Sequence, residues 1–261
     1  MNKATVYKEY GIEYKAGKIN APGIGFINEL LVNGNEKIGK GCYHFSTLPG
    51  TGYYKAELTS GDPMEIKGTC ACDCKGCYAK TGNYRFKNTI KSLAIRTFVA
   101  RMYPDFMRRA ILAQIKADNI QLCRIHASGD FFSAEYVQAW KEIVKDCPST
   151  VFWTYTKNKA FENAFDEYEN ANIVKSLLPG GLLNYGHCGY IISMYQALKE
   201  SGASVYICRC GIDKNQHCVN CKGCSKNNFV LFIEHSTEYN AESDSLFPIL
   251  KNIIESQARP E

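Results

Sequence analysis

The sequence lacks any long hydrophobic run. No stretch approaches the roughly 18 apolar residues of a membrane span, so the sequence predicts a protein without membrane spans. The first residues, Met1–Glu9, have no apolar segment of the kind that directs export, which predicts a cytoplasmic protein in a reducing compartment. In such a compartment cysteines favour metal ligation over disulfides.

The chain also lacks a repeat of fixed period and a low-complexity linker, so its 261 residues are expected to form one domain, or one domain with an elaboration. A hydrophobic content of 45% and a charged content of 22% are ordinary for a globular protein. Cysteine is the plentiful residue: there are thirteen. Because the count is odd, complete pairing into disulfides is disfavoured.

Four cysteines fall within eight residues, at positions 70, 72, 74 and 77. A disulfide needs Cα atoms about 4.4–6.8 Å apart with matched Cβ directions, which neighbours this crowded rarely satisfy. Thiolates that converge on a soft metal or an iron–sulfur cluster satisfy the spacing easily. We therefore interpret loop 68–79 as a metal or cluster loop, with a disulfide knot or a group of unrelated buried thiols as the alternative. Its candidate ligands are Cys70, Cys72, Cys74 and Cys77.

A second group of cysteines lies between positions 208 and 224. Its members are Cys208, Cys210, Cys218, Cys221 and Cys224. The last three have a C-x2-C-x2-C spacing that, with one remote cysteine, is typical of ferredoxin-like ligation of a [4Fe–4S] cluster. A tetrahedral zinc site that pairs the first two with two of the later three is the alternative. Five cysteines for four positions leave one spare, and either Cys208 or Cys210 could be the remote ligand.

From the cluster loop onward, helical and strand patterns alternate. Helical spacing covers residues 88–102, 105–119, 134–144 and 161–168, and strand-like segments cover 120–126, 150–155, 172–178, 203–208 and 229–235. This alternation indicates right-handed crossovers and a parallel sheet. We predict an α/β protein in which a partial, open β/α barrel of about six parallel strands spans residues 63–261. A β-rich N-terminal extension over residues 1–62 is expected to pack on it.

The strand at 120–126 runs into the turn 128–130, and β/α folds place functional residues at the C-terminal ends of strands. His126 ends this strand on the same face as Arg124, so it is a candidate for lining the site, with a hydrogen-bonded wall residue as the alternative. The helix predicted after Ser133 is expected to favour the charged form of Asp130.

Positive charge is concentrated beside the cluster loop. Residues 75–116 contain ten lysines and arginines and one acid, a local charge of +9. Such a segment could anchor a polyanion; a solvated helical face is the alternative. The cations are Lys75, Lys80, Arg85, Lys87, Lys91, Arg96, Arg101, Arg108, Arg109 and Lys116.

The C-x3-C-x2-C spacing of Cys70, Cys74 and Cys77 resembles the cluster motif of radical S-adenosylmethionine enzymes, which follows the first strand of a partial β/α barrel. In that family, three cysteines hold a [4Fe–4S] cluster, and its open iron binds the amino and carboxylate groups of S-adenosylmethionine. The second strand ends in a Gly-Gly-Glu-Pro-like turn that receives the cofactor amino group. The turn 128–130, which begins fifty-one residues after Cys77, resembles it with a shorter carboxylate.

The resemblance implies a reaction and a role for each matched residue. It implies reductive cleavage of S-adenosylmethionine with electrons from a partner such as flavodoxin or ferredoxin, followed by radical modification of an unidentified substrate, with a nucleic acid or nucleotide as a candidate. The implied cofactor-binding residues are Ser128, Gly129, Asp130 and Tyr78, and the implied catalytic residues are Asp130 and His126.

Two departures from this family keep an alternative open. The residue before the third cysteine is usually aromatic, but here it is Gly76, and the aromatic Tyr78 follows instead. Cys72 is an additional cysteine whose ligation would close the cluster. The alternative is a non-catalytic iron–sulfur or zinc protein that transfers electrons, or that binds nucleic acid through Arg96, Arg101, Arg108 and Arg109.

A closer resemblance is to the phage-encoded gene-product-eighty-eight-like family. It is carried by Cys77-Tyr78-Ala79, by the segment 124–133 (RIHASGDFFS), by the segment 153–157 (WTYTK) and by the C-terminal cysteine group. The resemblance covers most of the chain from Cys70 onward and implies the host cytoplasm as the location. It supports the architecture and implies no activity.

Overall fold

The computed structural model describes residues 2–34, 38–58, 63–74, 77–176, 185–209, 213, 216–221, 223–233 and 241–257. Its strands are β1 (Tyr14–Lys15), β2 (Lys18–Ala21), β3 (Gly25–Asn28), β4 (Val32–Asn33), β5 (Cys42–His44), β6 (Tyr53–Ala56), β7 (Met64–Lys67), β8 (Leu122–Arg124), β9 (Val151–Thr156), β10 (Ala171–Lys175), β11 (Tyr185–Gly186), β12 (Val205–Ile207) and β13 (Phe229–Ile233). Its α-helices are α1 (Lys3–Glu9), α2 (Lys87–Met102), α3 (Pro104–Asp118), α4 (Ala134–Asp146), α5 (Cys188–Glu200), α6 (Cys218–Cys221), α7 (Gly223–Lys226) and α8 (Phe247–Ser256).

The central sheet has five strands in the order β10–β9–β8–β5–β4. Strands β5, β8, β9 and β10 run parallel, and β4 pairs antiparallel with β5 at one edge. The aromatic and β-branched residues of β9 suit a strand buried between two neighbours. Because β5, β8 and β9 are adjacent and parallel, their C-terminal ends lie side by side at one edge of the sheet.

Helices α2, α3 and α4 supply the core on one face of this sheet. Cys123 and Phe152 on the strands share a buried core with Ile111 of α3 and Trp140 of α4. The predicted helix boundaries are close to the observed ones, because Pro104 occupies the first turn of α3, where its missing N–H costs nothing. No helix in the described ranges is both long and apolar enough to span a membrane.

The opposite face of the central sheet is covered by the C-terminal cysteine segment. Side chains on β8 and β9 pack there against residues of α6 and α7. The strand residues are Leu122, Trp153 and Tyr155, and the segment residues are Cys218, Val219 and Cys224. The second cysteine group thus rests directly on the sheet.

A second parallel sheet, in the order β11–β13–β12, follows the central one. It has its own core with α5 and α8, which includes Ile191, Leu231 and Leu250. The amide of Lys175, at the end of β10, donates to the carbonyl of Asn228 just before β13 at 2.8 Å, which joins the two sheets. In the described residues these strands do not close into a barrel, and the open barrel stays a prediction.

Two boundaries differ from those expected. The segment 1–62 does contain a β1–β2–β3 sheet, but β4 and β5 within it belong to the central sheet, so residue 62 does not separate an extension from the core. The reason is that the two-helix crossover α2–α3 returns the chain alongside β5, which makes β5 the first parallel strand. The helix predicted over 161–168 is instead a 3₁₀ turn, Lys159–Phe161, followed by turns. A segment of eight residues is too short to be helical unless packing supports it.

Candidate functional site

The predicted turn 128–130 lies at the shared C-terminal edge of β5, β8 and β9. Pairing between β5 and β8 continues beyond the strands, since the amide of Ala127 donates to the carbonyl of Phe45 at 3.1 Å and that of Thr47 donates to the carbonyl of Ser128 at 2.9 Å. The turn is therefore held against the continuation of the first parallel strand.

Asp130 is buried in this turn, with 4% of its surface exposed. Its Oδ1 accepts hydrogen bonds from the amide of Phe131 and the hydroxyl of Thr156, both at 2.7 Å, and its Oδ2 accepts from the amide of Lys157 at 2.8 Å. Burial raises the pKa of Asp130, and these hydrogen bonds oppose the rise. The pKa of Asp130 is raised overall, because removal from water outweighs the local donors.

Ser128 and Gly129 also face the protein. The hydroxyl of Ser128 donates to the carbonyl of Thr47 at 2.9 Å. Gly129 has φ +84°, and a Cβ there would lie 1.9 Å from Oγ1 of Thr47 and 2.5 Å from Oγ1 of Thr69. Only glycine fits this close approach. The structure thus brings the implied cofactor-binding residues together, but with their polar atoms engaged by the scaffold.

His126 lies behind the turn, on the side of α4. It is 3% exposed, and its Nε2 and Nδ1 contact the hydroxyls of Tyr136 at 2.8 Å and Thr154 at 3.3 Å. Burial, with a smaller effect from the charge of Arg124, lowers its pKa to about 3. A neutral ring held by two hydroxyls matches the wall residue that the sequence left as an alternative. Its catalytic role stays a prediction.

The cysteine loop is tied to the same edge. The amide of Gly50 donates to Sγ of Cys70 at 3.1 Å, and Nζ of Lys157 donates to Sγ of Cys74 at 2.9 Å. The hydroxyl of Tyr78 donates to the carbonyl of Ala127, next to the turn. The predicted loop and the predicted turn are therefore neighbours, although fifty residues of helix and strand separate them in the chain.

Asp73, within the loop, fixes its outer side. Its carboxylate accepts from Nζ of Lys80 at 2.5 Å and from both the amide and the hydroxyl of Thr51. These bonds lower the pKa of Asp73 to about 2, with the bond from Lys80 as the largest cause. Because Asp73 is fully exposed, we assign the bonds a role in loop geometry and not in stability.

The thiols of the cysteine loop lie near one another but are not arranged as the ligands of a metal. None of the four forms a disulfide, and Sγ of Cys72 lies 3.9 Å from Sγ of Cys74. Across the described part of the chain, no three histidine, cysteine, aspartate or glutamate side chains are gathered as metal ligands. A metal would have to draw the thiols together and displace protons from them. Burial raises the pKa of the Cys70 thiol to about 12, so the removal of its proton costs appreciable free energy.

The second cysteine group surrounds one small cavity of about 20 Å³. Four thiols line it, together with Leu122 and Trp153 of the central sheet. These thiols belong to Cys208, Cys218, Cys221 and Cys224. Cys210, the other candidate for the remote ligand, lies outside the described residues.

Three polar side chains of the neighbouring strands lie beside this group. The hydroxyl of Tyr155 donates to Sγ of Cys224 at 2.7 Å, and the hydroxyl of Tyr206 lies 3.4 Å from Sγ of Cys221. The indole Nε1 of Trp153 is buried without a hydrogen-bond partner. Buried donors are normally satisfied, so the indole N–H of Trp153 is a buried donor for which the described residues supply no acceptor.

The predicted nucleic-acid arginines are engaged within the protein. Arg96 is 7% exposed and its Nε donates to a backbone carbonyl at 2.9 Å, so it cannot reach a phosphate backbone. Arg101 donates to the carbonyl of Gly68, the first residue of the cysteine loop, at 2.9 Å. Arg108 and Arg109 both pair with Asp105, at 2.7 and 2.9 Å. These contacts engage the four arginines with the protein, because a charged group at a packed helix surface must find partners. Nucleic-acid binding through them stays a prediction.

Lys157 is the residue that sequence reasoning missed. Its amide holds Asp130 and its ammonium holds Cys74, so it joins the turn to the cysteine loop. Its place two residues after the predicted strand 150–155 was the available signal, because strand ends form the functional edge of a parallel sheet.

Comparison with known proteins gives a family without a stated activity. A family model described as "Gene product 88" matches residues 30–243. The "Gene 88 protein" of Mycobacterium phage L5 is 51% identical over 110 residues, which are 38% of this chain and 46% of that protein. The "Gene 88 protein" of Mycobacterium phage D29 is 28% identical over 110 residues, 38% of this chain and 45% of that protein. The chain thus spans about half the length of the curated relatives that it matches, and no solved structure matches it.

Proposed function

The chain belongs to the Gene product 88 family, and we propose that it is an iron–sulfur protein of the radical S-adenosylmethionine type. The observation that supports the proposal is that four cysteines line one cavity, although a metal would still have to draw their thiols together. Four thiols with two tyrosine hydroxyls and an unpartnered indole N–H exceed what core packing requires. The proposed location is the host cytoplasm, with flavodoxin or ferredoxin as the reductant.

The C-terminal group would hold an auxiliary [4Fe–4S] cluster. Cys208 is the proposed remote ligand, with Cys218, Cys221 and Cys224 as the C-x2-C-x2-C part. The donor set suits a cluster, because hydrogen bonds to ligand sulfurs tune its potential and hold the ligands in place. Tyr155 provides such a bond, and the indole of Trp153 has a hydrogen left to donate. Zinc remains the alternative metal for this group.

The N-terminal loop would hold the second cluster through Cys70, Cys74 and Cys77. Two of these sulfurs already accept N–H hydrogen bonds, from Gly50 and Lys157, as thiolate ligands do. A [4Fe–4S] cluster there would supply the electron that cleaves the sulfonium of S-adenosylmethionine. The residues of the chain would hold the loop at the edge of the sheet, where Tyr78 ties it to the strand end beside the turn.

A second function is favoured by the state of the turn. The carboxylate of Asp130 accepts three hydrogen bonds from the protein, so it offers little to a cofactor amino group. In addition, the ammonium of Lys157 is placed on Cys74. If Cys72 also ligates, the cluster is closed, and the protein would transfer electrons without consuming S-adenosylmethionine.

Metal analysis of anaerobically purified protein tests the shared part of both functions. We expect about eight iron and eight sulfide per chain, as two [4Fe–4S] clusters require. Cys218→Ser and Cys70→Ser should each lose about half of the iron. Cys147→Ser is the matched control, since this cysteine is buried outside both groups. Zinc without iron, or full iron in both ligand variants, would overturn the proposal.

Spectroscopy then separates the two functions. The EPR spectrum of the reduced protein should change when S-adenosylmethionine is added, and 5′-deoxyadenosine should accumulate. Cys72→Ser should keep its iron if the cluster is open and lose it if Cys72 is the fourth ligand. An unchanged spectrum together with iron loss in that variant would establish the electron-transfer function instead.

A further inference from the structure

A second cavity lies on the outer side of the cysteine loop. Its volume is about 440 Å³, which falls within the roughly 300–1,000 Å³ of small-molecule sites. It lies between the β6–β7 hairpin, the turns after the cysteine loop and the start of α2. Its lining residues include Gly52, Tyr53, Tyr54, Lys80, Tyr84 and Arg85. None of the proposed cluster ligands is among them.

The floor of this cavity is apolar and its walls are aromatic. Leu48 and Leu93 are buried beneath it, at 0% and 4% exposure. The hydroxyls of Tyr54 and Tyr84 donate to backbone carbonyls at 2.9 and 3.3 Å, which holds these two rings in place. Tyr53 is 68% exposed and stands at the rim. Fixed rings over an apolar floor suit a flat aromatic group.

The charge of the cavity is positive. Lys80 and Arg85 line it, and no described lining residue is acidic. Lys80 is paired with Asp73, whereas the described residues give the exposed Arg85 no carboxylate partner. A planar guanidinium of this kind binds phosphate through two parallel hydrogen bonds.

We propose that this cavity binds a nucleoside phosphate, with the base against the tyrosines and the phosphate on Arg85. The ligand chemistry is the same for a free nucleotide and for one nucleotide of a single strand. The site does not depend on either cluster, because it is built from other residues. It would also let the protein bind a nucleotide without Arg96, Arg101, Arg108 and Arg109, the arginines of α2 and α3.

Equilibrium binding to the purified full chain tests the proposal. The probes are AMP, GMP, CMP, UMP, adenosine, inorganic phosphate and single-stranded DNA and RNA twelve-mers. We expect a nucleoside monophosphate to bind at least tenfold more tightly than adenosine or phosphate alone. A twelve-mer that binds far more tightly than every monophosphate identifies the source as a strand, and comparable affinities identify it as the free nucleotide.

Two variants test whether the ligand binds in this cavity. Gly52 lines the cavity, a Cβ there would meet no atom within 4 Å and its φ is not in the left-handed region, so Gly52→Phe adds a large side chain at the cavity wall without a clash at Cβ. We expect it to abolish binding. Arg85→Gln should weaken the monophosphates about tenfold and leave adenosine unchanged. Lys18→Gln, an exposed lysine on the β1–β3 sheet, is the charge-matched control and should bind as the wild type does.

The results that overturn the proposal are equally definite. One is the absence of binding by every nucleotide and twelve-mer at millimolar concentration. A second is phosphate that binds as tightly as the monophosphates, which would make this a simple anion site. A third is wild-type affinity in Gly52→Phe, confirmed as folded by circular dichroism.

Discussion

Two histidines with lowered pKa values, His126 and His44, are expected to lower the free energy of unfolding when the pH falls. We predict that His126→Asn removes about half of that loss. His126 has φ +62°, a left-handed conformation that asparagine adopts more readily than most residues. The asparagine amide can also still reach one of the two hydroxyls that now contact the ring. The substitution therefore removes the titrating group at a modest structural cost.

The magnitude follows from the pKa in the folded chain. Burial, with a smaller contribution from Arg124, lowers the pKa of His126 from 6.5 to about 3. Below pH 6.5 the unfolded chain takes up a proton that the folded chain refuses, so stability falls as the pH falls from 6.5 towards 3. At pH 5.5, one unit below the unfolded pKa, the cost is about 1.4 kcal/mol.

His44 adds a second, similar cost. Burial, then the charges of Arg96 and Arg124, lower its pKa to about 4. At pH 5.5 its contribution is also about 1.4 kcal/mol, so the two histidines together should cost about 3 kcal/mol. Carboxylates with lowered pKa values, such as Asp73 and Asp105, act at lower pH. The raised pKa of Asp130 acts in the opposite direction to the histidines, but it is common to the wild type and the variants and cancels when they are compared.

The assay is urea unfolding at pH 7.5 and 5.5, under reducing conditions, for the wild type, His126→Asn, His44→Asn and the double variant. The difference in unfolding free energy between the two pH values should shrink by about 1.4 kcal/mol in each single variant and by about 3 kcal/mol in the double variant. Titrations shared by all four proteins cancel in this comparison. If His126→Asn keeps the full pH dependence, the ring is protonated in the fold and its assignment as a buried wall residue is wrong.

Three further predictions follow from single contacts. Gly129→Ala should destabilise the fold by about 3 kcal/mol or more in urea unfolding, because it adds left-handed strain and a clash with a threonine hydroxyl. Gln114→Leu should cost about 3 kcal/mol in the same assay, because the buried amide bonds both the N–H and the C=O of the residue before β4 at 2.8 Å. Lys157→Met should lower the reduction potential of the proposed N-terminal cluster, measured by EPR-monitored redox titration, because it removes a cationic hydrogen bond to Cys74.

Each of these predictions has a matched control in the chain. Gly202 also has a left-handed backbone conformation, with φ +78°, but a Cβ there would meet no atom within 4 Å. Gly202→Ala should therefore lower the free energy of unfolding by only about 1 kcal/mol. Equal costs for the two glycines would refute the clash. Gln138→Leu removes an exposed amide and should leave stability nearly unchanged. Lys159→Met removes a surface ion pair with Glu162 and should not move the potential; a shift as large as that of Lys157→Met would show a general charge effect.

The sequence predicted those parts of the fold whose signal is local. Apolar spacing and Pro104 located α2 and α3, and Ser133 located the start of α4, where its hydroxyl accepts from the amide of Tyr136. The assignment of β4 and β5 failed because both strands are two or three residues long. Their place in the central sheet depends on a partner, β8, about eighty residues away, and no local pattern records such a pairing.

The sequence predicted where the candidate site lies, but not which side chains contact its thiols. Cysteine spacing located both groups, and the end of a predicted strand located the turn. Spacing cannot report which hydrogens point at a sulfur, so Lys157, Tyr155 and Trp153 were not recognised as neighbours of the thiols. The positive segment 75–116 was similarly ambiguous, because a count of charges does not distinguish Arg96, which is buried, from Arg85, which is exposed.

The turn 128–130 shows how a motif can mark a backbone shape without fixing the role of its side chains. A glycine at φ +84° lets the backbone pass close to the hydroxyls of Thr47 and Thr69. Asp130 has a carboxylate one methylene shorter than the glutamate of the resembled turn. The short side chain curls back onto the amide of the next residue at 2.7 Å and onto the amide of Lys157 at 2.8 Å, so it closes the turn. A longer carboxylate could not close the same short ring with the next amide and would be free to point away from the turn. In this chain, the short carboxylate of Asp130 therefore closes the turn.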